Sequence, residues 1–302
     1  MLIASLGLAA SCFSFPAITT QHGSKQAGAH FSELALAATI PALRRPGAGN
    51  AAAPSQATSH AAGHAPQLRI VTYNIRSCKG LDGHVRPDRI AEILRRIGAD
   101  VIALQEVRAE QAAEIAQRLG YNVFFGHADT VHGYNFGNAV LTRFTIRDTH
   151  LYPIGVPGRQ QRACLRADIA WPDGDHTLHV FAVHLGLSVA ERREQAERLA
   201  SQQILEDPSI QNEPRILLGD FNEKFNHQDV NHNLKPLLQL IGKKSWPAPL
   251  PFVDLDRVYF SRDLKRRSAH VYRSDSAWFA SDHVPLVAVL EQTTAASNGN
   301  AR

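Results

Sequence analysis

The stretch RILLGDFN, residues 215–222, decides the fold expected for this chain of 302 residues. Its apolar run is long enough for a buried strand and is followed by the carboxylate of Asp220 and the amide of Asn222. Gly, Asp and Asn also form turns, so a plain strand and turn is the alternative for this stretch alone. A buried carboxylate is costly unless a cation or hydrogen-bond donors compensate for it. The stretch therefore predicts a polar site at the end of a core strand.

Strand-like and helix-like segments alternate from Leu68 to Glu291. The predicted strands are LRIVTYNI, DVIALQEV, YNVFFG, NAVLTRF, ACLRADIAW, LHVFAVHLG, RILLGDF, LDRVYFS and VPLVAVL. The predicted helices are RPDRIAEILRRIG, EQAAEIAQRLG, SVAERREQAERLASQQIL with Ser188 as its N-cap, and a short one in NHNLKPLLQLI. This alternation predicts one α/β domain over residues 68–291, with two packed sheets and helices outside.

Composition excludes several protein classes. The net charge of +4 is mild, and three basic residues against one acidic residue in positions 1–67 account for +2 of it. The domain is thus nearly neutral, which is weak support for nucleic-acid binding. The three cysteines are far apart and form no C-x-x-C pair, so neither a disulfide framework nor a structural zinc site is indicated.

The two ends of the chain differ from the domain. Residues 1–67 are rich in Ala, Ser, Gly and Pro, which predicts a disordered low-complexity extension, and residues 292–302 are predicted to be a disordered tail. Residues 1–18 are apolar enough for a weak signal segment, but no Lys or Arg precedes Lys25. We therefore expect a cytoplasmic protein, with export or membrane association through this segment as the alternative.

Removal of residues 1–65 is expected to leave the melting temperature nearly unchanged. The extension offers too little apolar surface to offset the entropy lost on ordering it. Thermal unfolding followed by circular dichroism, with the full-length chain as the reference, measures this. A large drop in melting temperature would show that the extension packs on the domain.

Several predicted strands bring a polar side chain to their ends. Taken one at a time, a terminal Asn or Glu is more often a turn residue or cap, a histidine is more often a satisfied core residue, and Asp256 could pair with the adjacent Arg257. These separate explanations are hard to sustain together in one chain. The residues concerned are Asn74, Glu106, His184, Asp220, Asn222, Asp256, Asp282 and His283.

The motifs resemble those of the endonuclease/exonuclease/phosphatase superfamily, the divalent-metal phosphohydrolases that include DNase I-like nucleases, sphingomyelinases and inositol-phosphate phosphatases. The matching motifs are TYNIR (Asn74), ALQEV (Glu106), GNAVLTR (Asn138), VHLG (His184), GDFN (Asp220, Asn222), LDRVYFS (Asp256) and SDH (Asp282, His283). The resemblance implies a four-layer α/β sandwich of two mixed sheets. It also implies that Asp256 orients His283, that Asp282 lies near the metal and that His184 contacts the phosphate.

The chemistry of phosphate-ester hydrolysis supports the same residues. The reaction needs a cation, an activated water in line with the leaving group, and donors to the phosphoryl oxygens. Glu106 and Asn74 offer hard oxygen ligands suited to Mg²⁺ or Mn²⁺. Asp220 is the candidate to position or deprotonate the water, Asn222 is expected to hold a phosphoryl oxygen or that water, and His283 can donate to the phosphate. Arg162 is a candidate phosphate ligand, with Arg159 and Arg166 as alternatives, and the resemblance makes Asn138 a second phosphate ligand.

The substrate stays open at this level. A nucleic acid, a phospholipid head group and a small phosphodiester are all compatible with the motifs, and no obligate protein partner is evident. A basic cluster at Arg262, Lys265, Arg266 and Arg267 and a pair at Lys243 and Lys244 could track phosphates, although exposed charges usually serve solvation. A catalytically inactive binding domain of the same fold is the alternative function. A zinc hydrolase is disfavoured because no H-E-x-x-H motif is present.

Overall fold

The computed structural model describes residues 66–131, 133–171, 176–224 and 228–293. The described strands are β1 (Gln67–Asn74), β2 (Val101–Arg108), β3 (Asn122–Val131), β4 (Tyr134–Thr142), β5 (Ile146–Pro153), β6 (Ala163–Ala170), β7 (Thr177–His184), β8 (Arg215–Asp220), β9 (Gln239–Gly242), β10 (Asp256–Phe260), β11 (Leu264–Val271) and β12 (Leu286–Gln292). The described α-helices are α1 (Pro87–Ile97), α2 (Ala109–Leu119), α3 (Val189–Leu199), α4 (Gln228–Leu234) and α5 (Asp275–Ala280).

The strands form two six-stranded mixed sheets. The first has the order β11-β12-β1-β2-β4-β3 and the second the order β5-β6-β7-β8-β10-β9. One pair in each sheet is parallel, β1 with β2 and β7 with β8, and the other pairs are antiparallel. Each parallel pair is joined through a helix, as parallel strands require. All four of these parallel strands carry predicted site residues at or near their carboxyl ends. We therefore call that end of the sandwich the site end.

Three apolar clusters hold the layers together. The central cluster lies between the two sheets and includes Val140 and Leu218. The outer clusters pack α1 and α2 on the first sheet, through residues such as Ile93, and α3 and α4 on the second, through residues such as Leu199 and Val230. The predicted four-layer sandwich is confirmed.

Helix ends follow their sequence signals. Pro87 begins α1, and Gly98, with a φ of 64°, ends it in the left-handed conformation that glycine adopts without strain. Ser188 caps α3 by accepting a hydrogen bond from the Glu191 backbone N–H, and Glu191 reciprocates at the Ser188 backbone.

Two predicted helices are wrong in extent. Helix α3 ends at Leu199 rather than near Leu205, because the chain then turns so that Ile204 and Leu205 enter the core beneath the second sheet. The segment NHNLKPLLQLI is not one helix, since α4 ends at Leu234 and β9 begins at Gln239. Pro236 explains the break, because proline lacks a backbone N–H and disfavours a helical residue before it.

Two strands escape sequence analysis because they are polar. Strand β11 is one edge of the first sheet and β5 is one edge of the second. The exposed stretch of β11 contains Lys265, Arg266 and Arg267 of the basic cluster considered above as a phosphate track. Edge strands with exposed charges lack an apolar alternation, and their charges oppose pairing with other chains.

The predicted extension and tail fall mostly outside the described residues. Within these limits, Gln67 already belongs to β1 and Gln292 to β12. Among the described residues, Cys78 and Cys164 are buried free thiols. No helix in this part of the chain has the length and apolar character needed to span a membrane.

Candidate functional site

A cleft of about 280 Å³ opens at the site end, between the carboxyl ends of the parallel strands. Asn74, His184 and Asp220 are the last residues of β1, β7 and β8. The cleft lining includes Glu106, Arg162, His184, Asp220, Asn222, Asp282 and His283. Asn74 and Asp256 are buried and contact cleft residues through hydrogen bonds. Nine of the ten predicted site residues therefore lie at or directly behind one cleft.

Asn74 joins the two sheets at this point. Its Nδ2 donates hydrogen bonds to Glu106 Oε1 at 2.9 Å and to Asp220 Oδ2 at 3.0 Å. Its Oδ1 accepts from the Arg76 backbone N–H at 3.1 Å. A buried amide that bridges carboxylates from the two sheets places them close together.

Glu106 enters the cleft through a break in the regular strand. The pairing of β2 with β4 shifts register between Leu104 and Val107, and Glu106 has a φ of 53°. A positive φ is unfavourable for a residue with a Cβ, so the surrounding sheet must hold it. Such bulges redirect a side chain, and here the redirected side chain is a site carboxylate.

Asp220 is the centre of the polar network. Its Oδ1 accepts from the Asn222 backbone N–H at 2.9 Å, and its Oδ2 lies 3.7 Å from Nε2 of His184 and 3.6 Å from Nε2 of His283. Burial acts to raise the pKa of Asp220, but the positive charge of His283 and the donated hydrogen bonds hold the pKa below its ordinary value. Asp220 is therefore a charged carboxylate at neutral pH.

His283 is held by a buried hydrogen-bond chain. Its Nδ1 lies 2.8 Å from Oδ2 of Asp256, and the same oxygen accepts a hydrogen bond from the Ser245 hydroxyl. Burial alone would lower the pKa of His283, yet the charges of Asp256 and Asp220 raise it to about 10. The ring is an imidazolium whose Nε2 faces the cleft side of Asp220. Asp256 pairs with this ring, whereas Arg257 pairs with Glu223.

His184 and Arg162 line the opposite wall. Burial and the positive charge of Arg162 lower the pKa of His184 to about 3, against the attraction of Asp220, so this ring is neutral near pH 7. Arg162 is only 8% exposed, its Nε has no hydrogen-bond partner, and no carboxylate of the described residues lies within 4.0 Å of its guanidinium. Buried guanidinium groups are usually paired with an anion, which makes Arg162 a candidate to bind one in the cleft.

The alternatives to Arg162 lie elsewhere. Arg166 binds Asp168 with two hydrogen bonds of 2.8 Å in a separate buried network that includes His179. Arg159 is exposed and does not line the cleft. Sequence alone could not separate the three arginines, because all lie in one short stretch.

Asn138 and Asn222 occupy supporting positions. Asn138 lies within β4, lines a recess of about 10 Å³ beside Arg162 and His184, and donates a hydrogen bond to the Ala163 carbonyl at 3.4 Å. Asn222 has a φ of 51°, and its Nδ2 donates to the Leu185 carbonyl at 2.9 Å. Asn222 therefore ties the GDFN turn to the segment after β7.

The donor set fits a hard divalent cation. Burial raises the pKa of Glu106 despite the hydrogen bond from Asn74, and the negative charges of Asp220 and Asp282 raise it further. Bringing carboxylates together in this way is unfavourable unless a cation compensates, and carboxylate and amide oxygens suit Mg²⁺ or Mn²⁺. Ligand atoms of Asp220, Asp256 and His283 also lie within 4.8 Å of one another, but a cation there would have to displace the Asp256–His283 hydrogen bond. Glu106 and Asp282 offer carboxylate oxygens to the cleft without breaking that hydrogen bond.

Sequence analysis missed the serines that order this site. Ser245 is fully buried and binds Asp256, and the Ser281 hydroxyl donates to the Asn74 carbonyl at 2.8 Å and accepts from the His283 backbone N–H. Short hydroxyl side chains next to loop prolines or aspartates carry no distinctive sequence signal. The cleft wall also includes Phe136, Gln160, Leu187, Lys224 and Trp246.

Comparison with known proteins agrees with this fold. The model of the Endonuclease/Exonuclease/phosphatase family matches residues 71–283. The uncharacterized protein YbhP of Escherichia coli K12 is 29% identical over 251 residues, which cover 74% of this chain and 96% of YbhP. Two crystallised proteins share the fold. An endonuclease/exonuclease/phosphatase from Beutenbergia cavernae has a TM-score of 0.63 and 22% identity, with 76% of this chain and 72% of that one covered. The mannosyl-6-phosphatase Bt3783 of Bacteroides thetaiotaomicron has a TM-score of 0.62 and 21% identity, with 74% and 99% covered. The chain therefore belongs to the endonuclease/exonuclease/phosphatase family.

Proposed function

We propose that this protein is a Mg²⁺- or Mn²⁺-dependent phosphoesterase that hydrolyses a phosphodiester by in-line attack of water. The observation that carries the proposal is the buried Arg162 guanidinium without a carboxylate partner, which faces a cleft that also holds Glu106, Asp220 and Asp282. A guanidinium that can bind a phosphate ester, next to carboxylates that would hold a metal ion, is the combination that such a reaction requires.

Each cleft residue then has a distinct task. Glu106, Asn74 and Asp282 would hold the metal ion, which offsets charge on the phosphoryl group when bound. Asp220 orients the attacking water and draws its proton as the water oxygen bonds to phosphorus and the ester bond breaks. His283 donates from Nε2 to a phosphoryl oxygen, while Asp256 holds its tautomer through Nδ1.

The wall of the cleft formed by Arg162 and His184 would bind the remaining phosphoryl oxygens. Arg162 supplies charge, and neutral His184 supplies a hydrogen bond from the same side. Asn138 lies in the recess behind them and positions that wall. The name of the mannosyl-6-phosphatase shows that a monoester is a substrate for one protein of this fold, so the choice of a diester for this chain stays a proposal.

The cleft favours a compact phosphoester over a nucleic-acid duplex. Its volume of about 280 Å³ suits one head group or a small diester. The basic residues of β11 lie at the opposite end of the first sheet, since Lys265 pairs with Glu291 beside the beginning of β1. A phosphate backbone in the cleft could not reach them without crossing the length of the sheet.

Chelation is expected to abolish activity. EDTA should remove hydrolysis of bis-p-nitrophenyl phosphate, and added Mg²⁺ or Mn²⁺ should restore it, because the ligands are hard oxygen donors. Glu106→Gln should raise the Mg²⁺ concentration needed for half-maximal activity, whereas the exposed Glu110→Gln in α2 serves as the matched control and should leave it unchanged. Full activity in the chelator would contradict the proposal.

A further inference from the structure

The large exposed apolar side chains in the described part of the chain lie at one end of the sandwich. Among the described residues, eight large apolar side chains are exposed. Five are aliphatic, namely Leu81, Val85, Leu187, Val189 and Leu250, and three are aromatic, namely Tyr134, Phe252 and Phe279. Single exposed apolar residues are ordinary, but a set restricted to one surface marks an interaction site.

The strand directions show that this surface is the site end. The connections that follow β1 and β7 carry Leu81, Val85, Leu187 and Val189, and both strands run toward the site. Strand β4 begins at the site end with Tyr134, because β4 is antiparallel to β2. The connections 243–255 and 272–285 also lie there, since β10 and β12 begin at that end, and they carry Leu250, Phe252 and Phe279.

Two of the three most exposed members lie at or next to the cleft. Leu250 is 80% exposed, Leu187 is 73% exposed and Phe252 is 62% exposed. Leu187 lines the cleft directly, and the Phe252 ring lies 6.4 Å from the ring of Trp246, which lines it as well. Solvent-exposed apolar side chains therefore lie beside the cleft.

Cations accompany these side chains. Lys79, Arg159, Lys224, Lys243 and Lys244 lie in connections at the site end, are exposed, and form no ion pair within 4.0 Å in the described part of the chain. The nearby carboxylates of Asp82 and Asp88 are already paired with Arg89 and Arg86, while Asp275 is an exposed acid on this surface. The surface thus combines protruding apolar side chains with an excess of free positive charge.

We propose that the site end docks on an anionic lipid bilayer, with Leu250, Phe252 and Leu187 entering the interface and the free cations contacting lipid phosphates. This inference goes beyond the proposed function, because it concerns the surface around the cleft and not the reaction within it. The combination of apolar insertion with electrostatic attraction is how peripheral proteins bind anionic membranes. Docking in this way presents lipid head groups to the cleft.

The aliphatic character favours a bilayer over single-stranded nucleic acid. Binding of single strands relies on aromatic rings that stack on bases, and leucine and valine have no such face. Leu250 and Leu187 are the most exposed of the set and are both aliphatic, as insertion among acyl chains requires.

Vesicle flotation of the full-length chain tests the proposal. Phosphatidylcholine vesicles that contain phosphatidylglycerol should carry the wild-type protein with them, more than vesicles of phosphatidylcholine alone, and added salt should reduce binding.

Leu250→Ser with Phe252→Ser should weaken binding about tenfold or more through lost apolar insertion. Lys243→Ala with Lys244→Ala should weaken it about thirtyfold, because each of the two lysines near the surface contributes on the order of 1 kcal/mol. The same change of charge at Lys265→Ala with Arg266→Ala, at the opposite end, should leave binding unchanged.

Several outcomes would overturn docking by the site end. These are wild-type protein that does not float, a Leu250/Phe252 variant that floats like wild type, or a Lys265/Arg266 variant that loses as much binding as the Lys243/Lys244 variant. A gel shift of a single-stranded oligonucleotide by wild-type protein that is lost in the Leu250/Phe252 variant, without vesicle binding, would assign the surface to nucleic acid instead. Circular dichroism confirms that each variant is folded. Hydrolysis of bis-p-nitrophenyl phosphate tests the proposed function separately, since that substrate is soluble.

Discussion

Replacement of Asp220 by asparagine should lower turnover by roughly 10² to 10⁴, the range usual for loss of a group that positions or accepts a proton from the attacking water. Asparagine keeps the size of the side chain and one oxygen, which can accept from either the Asn222 backbone N–H or Asn74, whereas Asp220 accepts these two hydrogen bonds at separate oxygens. It removes the negative charge that faces Nε2 of His184 and of His283. The loss should therefore fall on the reaction while the fold remains.

The measurement is turnover of bis-p-nitrophenyl phosphate at saturating Mg²⁺, with circular dichroism to confirm folding. Asp263→Asn, an exposed change at the opposite end of the sandwich, is the matched control and should retain wild-type turnover. An Asp220→Asn variant that keeps more than about half of the wild-type activity would contradict the mechanism, since an effect of this size could not then reside in that carboxylate.

Loss of His283 should be equally severe. His283→Ala removes the donor at Nε2 and should lower turnover by roughly 10² to 10⁴. Asp256→Asn should cost less, because Asp256 contacts the reaction only through the ring that it orients at 2.8 Å. The double variant should therefore be no slower than His283→Ala alone, since groups that act as a unit are not additive.

The buried position of Asp256 requires a second variant. His283→Ala leaves this carboxylate with only Ser245 as a hydrogen-bonding side chain, which can destabilise the fold. His283→Asn keeps an amide that can donate to Asp256 in the place of Nδ1 but has no equivalent of Nε2. We expect the Asn variant to fold and to be as inactive as the Ala variant. Additive losses in the double variant would show that Asp256 acts independently of the ring.

Much of the fold could be predicted because local patterns encode it. The helix around Ile93 repeats its apolar residues at helical spacing, and the buried strand before Asp220 is a continuous apolar run. The predicted α3 and the segment around Pro236 were wrong where tertiary packing or one proline changed the backbone course. Edge strands β5 and β11 were missed because exposed polar strands carry no such pattern.

The candidate site was predictable in its residue types and only partly in its arrangement. Strand ends with Asn74, His184 and Asp220 indicate a shared site, since parallel strands bring their carboxyl ends to the same edge. By contrast, Asp256 begins an antiparallel strand and faces Asp220 across the pair, which only the sheet order reveals. The role of Ser245 depends on a hydrogen bond to a residue eleven positions away and has no sequence signature.

The sequence by itself determined which chemical groups this protein could bring to a phosphate ester. The residue types supply the carboxylates, amides and imidazoles, and the local pattern of apolar residues places them at strand ends. Only the tertiary structure decided which of them meet. It placed Arg162 at the cleft and paired Arg166 with Asp168, it separated a charged His283 from a neutral His184, and it gathered the exposed apolar side chains at the site end. The physical reason is that burial, charge and hydrogen bonding depend on neighbours that are distant along the chain, and those neighbours are fixed only when the two sheets pack together.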